Sequence, residues 1–200
     1  MFFDQHPRLE ILPQAKVLFL AVIWYNVICK DNKMIREFNP QDRKSIDRLM
    51  VKLQKHFAEV DMTKESLPFK DQKVAHDYMQ RMIDDSGSMN GVIYVAEEAN
   101  SIIGFIQGVV INHRPGDDVV FDATHIPRRD GWIGLLFVEP SHRAKGIGQK
   151  LMDKIKNHFE NEGCDTLRLL VLSDNTHAIE IYKKYGFIKH EVEMVRKLKP

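Results

Sequence analysis

The chain has 200 residues, enough for one domain that buries roughly 70% of the surface its unfolded form would expose. Lysine and arginine number 29 against 28 aspartate and glutamate, a net charge of +1. So even a balance argues against a nucleic-acid binder, and two cysteines (Cys29, Cys164) outside any CxxC or Cys/His cluster argue against a disulfide scaffold or a metal site and suit a reducing cytoplasm.

The first 33 residues read as an N-terminal extension. Residues 17–29, VLFLAVIWYNVIC, are mostly apolar and lie between Lys16 and Lys30. A membrane-spanning helix takes about 20 such residues, so the run is short, although residues 11–29 come close apart from Gln14 and Lys16. No small-residue cleavage site follows. The run suits an extra element packed on the domain; membrane contact through residues 11–29 is the other reading.

The domain proper is expected over 34–200. MIREF (34–38), followed by Asn39-Pro40, suits a short strand ending in a turn. From Asp42 the apolar residues Ile46, Leu49, Met50, Leu53 and Phe57 keep the three-and-four spacing of a helix with one buried stripe. Beyond Pro68, Val74, Tyr78 and Met82 predict a second helix, ending at the DDSGSMNG loop. VIYVA (92–96) and IIGFIQGVVI (102–111), joined by EEANS, read as a β-hairpin. The polar, turn-rich stretch 112–131 reads as a candidate substrate loop or as plain solvent-exposed chain. WIGLLFV (132–138) predicts a strand buried on both faces, and QKLMDKIKNHFENEG a helix with Leu151, Ile155 and Phe159 on one stripe. TLRLLVL (166–172) predicts a strand, NTHAIEIYKKYG (175–186) a short helix, and the alternating FIKHEVEMVRKL (187–198) a last strand. The order implies a mixed α/β domain.

Between the buried strand and its helix stands EPSHRAKGIG. A glycine-rich turn there gathers free backbone N–H groups at a positive helix end, which suits an anion, and Arg143 and Lys145 add charge. No Ser or Thr follows Lys150, so the turn is not a nucleoside-triphosphate loop of the GxxxxGK[ST] type. EPSHRAK separates the glycines from the strand and Leu151 takes the place of a third glycine, which argues against a dinucleotide fingerprint.

VEPSHRAKGIGQKLM resembles the pyrophosphate-binding motif of the GNAT superfamily of N-acetyltransferases, Gln/Arg-x-x-Gly-x-Gly/Ala, here Arg143 to Gly148. NTHAIEIYKKYGF resembles that family's second signature. The resemblance covers residues 34–198 and implies the family's fold, a central mixed sheet flanked by helices, and transfer of acetyl from acetyl-CoA to an amine acceptor, a small molecule or a peptide. It implies that Arg143, Ala144, Lys145, Gly146, Ile147 and Gly148 hold the pyrophosphate, largely through backbone N–H groups. By the same resemblance Phe137 and Val138 bond the pantetheine arm, Asn175 bonds pantetheine or caps its helix, and Tyr182 is the general acid that protonates the departing thiolate. Dimerisation is common in the family. Tyr185 is expected in the core.

The general base is not readable. Trp132 stands where some relatives carry a glutamate, and Asp130, Asp122 and His125 are the candidates for a water-relayed route; Glu139 is expected to point away. An acyl-CoA-binding sensor with little catalysis is therefore the alternative to an enzyme.

Overall fold

The protein is described by a computed structural model over residues 35–114 and 126–198. The apolar run 17–29, the segment 11–29, Cys29, Asp122 and His125 lie outside the described residues, as do residues 115–125 of the candidate substrate loop. The chain divides into two units, Met1–Met34 and Ile35–Pro200, and the described residues all belong to the second.

Five strands form one sheet in sequence order. β1 (Ile35–Glu37), β2 (Val92–Glu98), β3 (Ser101–His113) and β4 (Arg128–Val138) pair antiparallel, and β5 (Thr166–Leu169) joins β4 in parallel. The β2–β3 hairpin closes over two residues, Ala99 and Asn100, at φ of 49° and 62°. Two positive φ values in a two-residue loop match the twist of the strands they join.

The helices are α1 (Arg43–Val60), α2 (Gln72–Ser88), α3 (Ile147–Asn161) and α4 (Thr176–Lys184). α1 lays Ile46, Leu49, Met50 and Leu53 on one face of the sheet, against Ile93, Val95, Phe105, Leu135 and Phe137. α2 continues through Asp84–Ser88, where a loop is predicted, and its buried positions are Ala75, Met79 and Ser86. Its stripe is thus rotated from the expected one: Tyr78 and Met82 only edge the core, and Val74 is 40% exposed. Ser86 is buried with its hydroxyl satisfied, accepting from Gln107 Nε2 and donating to the Met82 carbonyl.

α3 covers the opposite face with Ile147, Leu151, Met152, Ile155 and Phe159. Phe159 lies directly on strand backbone: a Cβ at Gly131 would stand 2.5 Å from its ring, and one at Gly108 2.8 Å. These glycines are where a ring replaces side chains.

The C-terminal part departs from expectation. β5 stops at Leu169, three residues short of the predicted 166–172. The predicted last strand, 187–198, has no strand partner among the described residues, and Ile188, Val192, Met194 and Leu198 are 87%, 75%, 90% and 89% exposed. Alternation supplies a strand's side-chain pattern but not the neighbouring edge that makes a strand, and here the segment lies off the sheet. Tyr185 is half-buried, not in the core.

Candidate active site

The site begins where two strands part. β4 and β5 run side by side only from Asp130–Thr166 to Ile133–Leu169. From Gly134 to Val138 the β5 side of β4 has no partner among the described residues, while its other side stays paired to β3. The register against β3 slips between Gln107 and Gly108, so Gly134 is the extra residue of a bulge at the fork.

Alternation decides which backbone groups look into the fork. Glu139 N–H donates to the Ile103 carbonyl on β3 at 2.8 Å, which makes that pair a bonded one and turns the next residue back the other way. The Val138 carbonyl accordingly faces away from β3 and accepts Arg143 Nε at 3.0 Å. The same count turns Phe137 toward β3 and Leu136 toward the fork. Of the two strand residues picked out by resemblance, the Val138 backbone faces the fork and that of Phe137 faces β3; the Leu136 backbone also faces the fork. Counting by two from Val138 would have found Leu136 in the sequence. The Phe137 ring belongs to the core, with the Arg143 guanidinium 5.7 Å above it.

Beyond β4 the chain makes a 3-10 turn (Pro140–His142), then an open loop into α3. Gly146 caps α3 at φ 77°, and Ala144 holds φ 60°. Both are left-handed, natural for glycine and costing alanine about 1 kcal/mol. Among the described residues, no acceptor meets the N–H groups of Ala144, Lys145, Gly146, Ile147 or Gly148. A Cβ at Gly146 would meet nothing within 4 Å, and one at Gly148 only Val138 Cγ2 at 4.0 Å. Unpaired donors, open space and the positive end of a 15-residue helix form a cradle that fits a pyrophosphate.

α1 walls the fork's end. Glu139, 8% exposed, is clasped by Lys52 Nζ at 2.6 Å and Arg48 at 3.0 Å, and Arg48 also donates to the Ile102 carbonyl. Glu139 is therefore a tie between α1 and the end of β4. One turn after Lys52, the half-buried His56 has its pKa lowered by burial and by the charge of Arg143, against a smaller opposing pull from Glu59. Sequence reasoning missed His56, whose only signal was its i+4 and i+8 spacing from Lys52 and Arg48.

After α1, the buried Asp61 carboxylate accepts the N–H groups of Thr63, Glu65 and Ser66, shaping a tight turn. Met62 N–H reaches Asp174 Oδ2 at 3.2 Å, joining that turn to the start of α4. Asn175 caps α4, its side chain accepting Ala178 N–H at 3.3 Å. Tyr182 is half-buried, edge-on to Phe187 with ring centroids 5.8 Å apart, and burial pushes its pKa above 10. A phenol so placed is a proton donor at neutral pH.

Asp130 is not a free base. It is fully buried, with Arg128 Nε and Arg168 Nε each 2.9 Å from Oδ2, His113 Nε2 at 3.1 Å, and the Thr166 hydroxyl donating to Oδ1. Burial pushes its pKa up, but the Thr166 and Arg128 hydrogen bonds and the Arg168 and Arg128 charges prevail and hold it below the usual carboxylate range. It also stands six residues back along β4 from Leu136, about 20 Å. Among the described residues, no three His, Cys, Asp or Glu side chains gather as a metal-ligand set, and no helix is long and apolar enough to cross a membrane.

The model of the acetyltransferase (GNAT) family matches residues 58–187. Mycothiol acetyltransferase of Streptomyces coelicolor is 30% identical over 44% of this chain and 29% of its own length. Thialysine N-epsilon-acetyltransferase of Bos taurus is 39% identical over 29% of this chain and 34% of its own. The chain thus spans about a third of the length of these curated relatives. Among solved structures, a tetramutant of the BH1408 protein from Bacillus halodurans superposes with a TM-score of 0.67 at 20% identity, covering 82% of this chain and 99% of that one. A predicted acetyltransferase with acetyl-CoA from Clostridium acetobutylicum gives 0.58 at 20% identity over 82% and 95%.

Proposed function

Because the chain belongs to the GNAT acetyltransferase family, we propose that it transfers the acetyl group of acetyl-CoA to an amine, with the donor lying in the β4–β5 fork. The observation that carries this reading is the junction, among the described residues, of the side of β4 that β5 leaves without a strand neighbour and the N–H cradle at Ala144–Gly148. Each suits one part of acetyl-CoA: an amide-bearing arm pairs along a strand edge, and a pyrophosphate sits on a helix N-terminus.

In this mechanism Leu136 N–H polarises the thioester carbonyl, and Val138 holds the pantetheine arm. Ala144 to Gly148 bind the pyrophosphate, with Arg143 and Lys145 supplying charge. A neutral amine attacks the acetyl carbon, the tetrahedral oxyanion gathers at the strand N–H, the nitrogen gives up its extra proton to solvent, and the C–S bond breaks. Tyr182 gives its phenolic proton to the departing thiolate and recovers one from the medium. Asn175 fixes the start of α4 and so the approach of Tyr182. Neutral amine at pH 7 is scarce, and Asp130, held below its ordinary pKa and remote from Leu136, is unsuited to generate it.

Thiol release from acetyl-CoA across a panel of small amines and peptides tests this reading. Turnover is expected, with Tyr182→Phe lowering kcat about 100-fold while KM for acetyl-CoA changes less than about threefold. Tight acetyl-CoA binding with no turnover on any amine would overturn it in favour of a sensor.

A further inference from the structure

The geometry points to a second binding site, for a phosphate monoester, in the depression between the starts of α1 and α2. It stands apart from the acetyl-transfer reading: Lys44 lies eight residues before Lys52, the α1 residue that holds Glu139, about 12 Å along the helix. The depression has a volume of about 510 Å³ and is lined from α1 by Arg43, Lys44 and Asp47 and from α2 by Gln72, Lys73 and His76. Its frame is built from groups that satisfy one another. Asp47, 6% exposed, accepts Arg43 Nε at 2.9 Å on Oδ1 and lies 2.7 Å from His76 Nδ1 through Oδ2. Arg43 spends its other nitrogens on Gln80 Oε1, at 2.7 Å, and on the His76 carbonyl. Four polar groups are left over. Lys44 Nζ, His76 Nε2 and the side-chain amides of Gln72 and of Gln41, in the 3-10 turn before α1, have no hydrogen-bond or ion-pair partner among the described residues.

Charge and proton chemistry select the ligand. Within the lining, Arg43, Lys44 and Lys73 stand against one carboxylate, Asp47, and the neighbouring Asp77 is paired with Lys73 at 2.8 Å, so an anion is favoured. With the Arg43 guanidinium consumed by Asp47, Gln80 and His76, no planar fork is left to choose a carboxylate. The free groups are a point charge, two amides and an imidazole nitrogen, drawn from three segments, and they suit a tetrahedron of oxygens. Asp47 beside Nδ1 keeps a proton there, so Nε2 offers a lone pair when the ring is neutral and an N–H when it is charged. A phosphate monoester loses its second proton at about pH 6, so near neutral pH one proton is available to lie between a phosphate oxygen and Nε2. Sulfate brings no such proton. The charged groups around the ring are Arg43, Lys44 and Asp47 from α1 and Lys73 and Asp77 from its own helix. The volume leaves room beside the phosphate for a sugar-sized body.

Backbone amide NMR of the full chain at pH 7 tests the site, because it separates this depression from the Ala144–Gly148 cradle. Ribose 5-phosphate is expected to move the Lys44, Gln72 and His76 amides with a Kd on the order of 1 mM, inorganic phosphate to do so more weakly, and ribose to have no effect. Sulfate should bind at least about fivefold more weakly than phosphate, and His76→Gln, which keeps a donor for Asp47, should bring the two within about twofold. Lys44→Gln should weaken ribose 5-phosphate about fivefold, whereas Lys156→Gln, which removes the same charge from the exposed side of α3, should leave it unchanged. Shifts confined to the cradle, or none by about 20 mM, overturn the inference. So does sulfate binding as tightly as phosphate, or an equal loss in Lys44→Gln and Lys156→Gln, which would mean attraction by overall charge alone.

Discussion

Replacing Asp130 with asparagine separates a structural carboxylate from a catalytic one. The side chain is 1% exposed and its oxygens meet Arg128, Arg168, His113 and Thr166, the two guanidinium side chains themselves 21% and 24% exposed. Arg168 Nε lies within ion-pair distance but lacks hydrogen-bond geometry, so its share is mainly Coulombic. Removing one partner from a buried ion cluster costs about 3–5 kcal/mol, and partial solvent access of the cations brings the expectation here to about 3 kcal/mol. For a domain of this size that is a fall in Tm of roughly 6–12 °C. Urea unfolding at pH 7 measures the loss directly. Because the folded pKa is depressed, the carboxylate's contribution is present above its ordinary value of 3.8 and vanishes as pH falls through the folded value, so wild type and variant should converge in acid. At a temperature where the variant stays folded, kcat should be within about threefold of wild type. Unchanged stability with kcat down a hundredfold or more would refute the reasoning and restore Asp130 as a base.

Three further outcomes rest on the geometry. Gly131→Ala places a Cβ 2.5 Å from the Phe159 ring and 2.9 Å from Leu167, and should destabilise by about 2 kcal/mol in urea unfolding. Gly146→Ala puts a side chain at φ 77° inside the proposed cradle; isothermal titration should show acetyl-CoA affinity reduced about tenfold, whereas a purely structural turn would change Tm alone. His56 has a folded pKa below its ordinary 6.5, so the unfolded chain protonates first and stability falls as pH drops through that value. His56→Gln should flatten the urea midpoint between about pH 7 and 5, and parallel curves would contradict the placement.

The helix periodicities of α1 and α3 were legible because each buries one stripe against a flat sheet. α2 was offset because its inward face includes Ala75 and Ser86, a small and a polar residue that hydrophobic spacing does not count. The glycine loop was legible because it combines residue types that few other turns need. Leu136 was not picked out because the direction of a backbone group leaves no mark on side-chain identity, only on position. His56 and the Glu139 clasp were missed because they join elements more than eighty residues apart, a distance no local pattern spans. At 187–198 the alternation is that of a strand, but pairing is a property of two segments and no single segment encodes it.

The parting of β4 and β5 has an evolutionary corollary. A slot lined by peptide groups presents the same chemistry whatever side chains its strand carries, so the proposed donor slot places no demand on side-chain identity from Leu135 to Val138. Those side chains are then at liberty to serve the sheet's core, as Leu135 and Phe137 do. α1, which walls the end of the fork, is tied to the end of β4 through the carboxylate of Glu139. On the proposed reading a mutational scan should therefore show donor binding tolerant of substitution at Leu136 and Val138 and sensitive at Gly146.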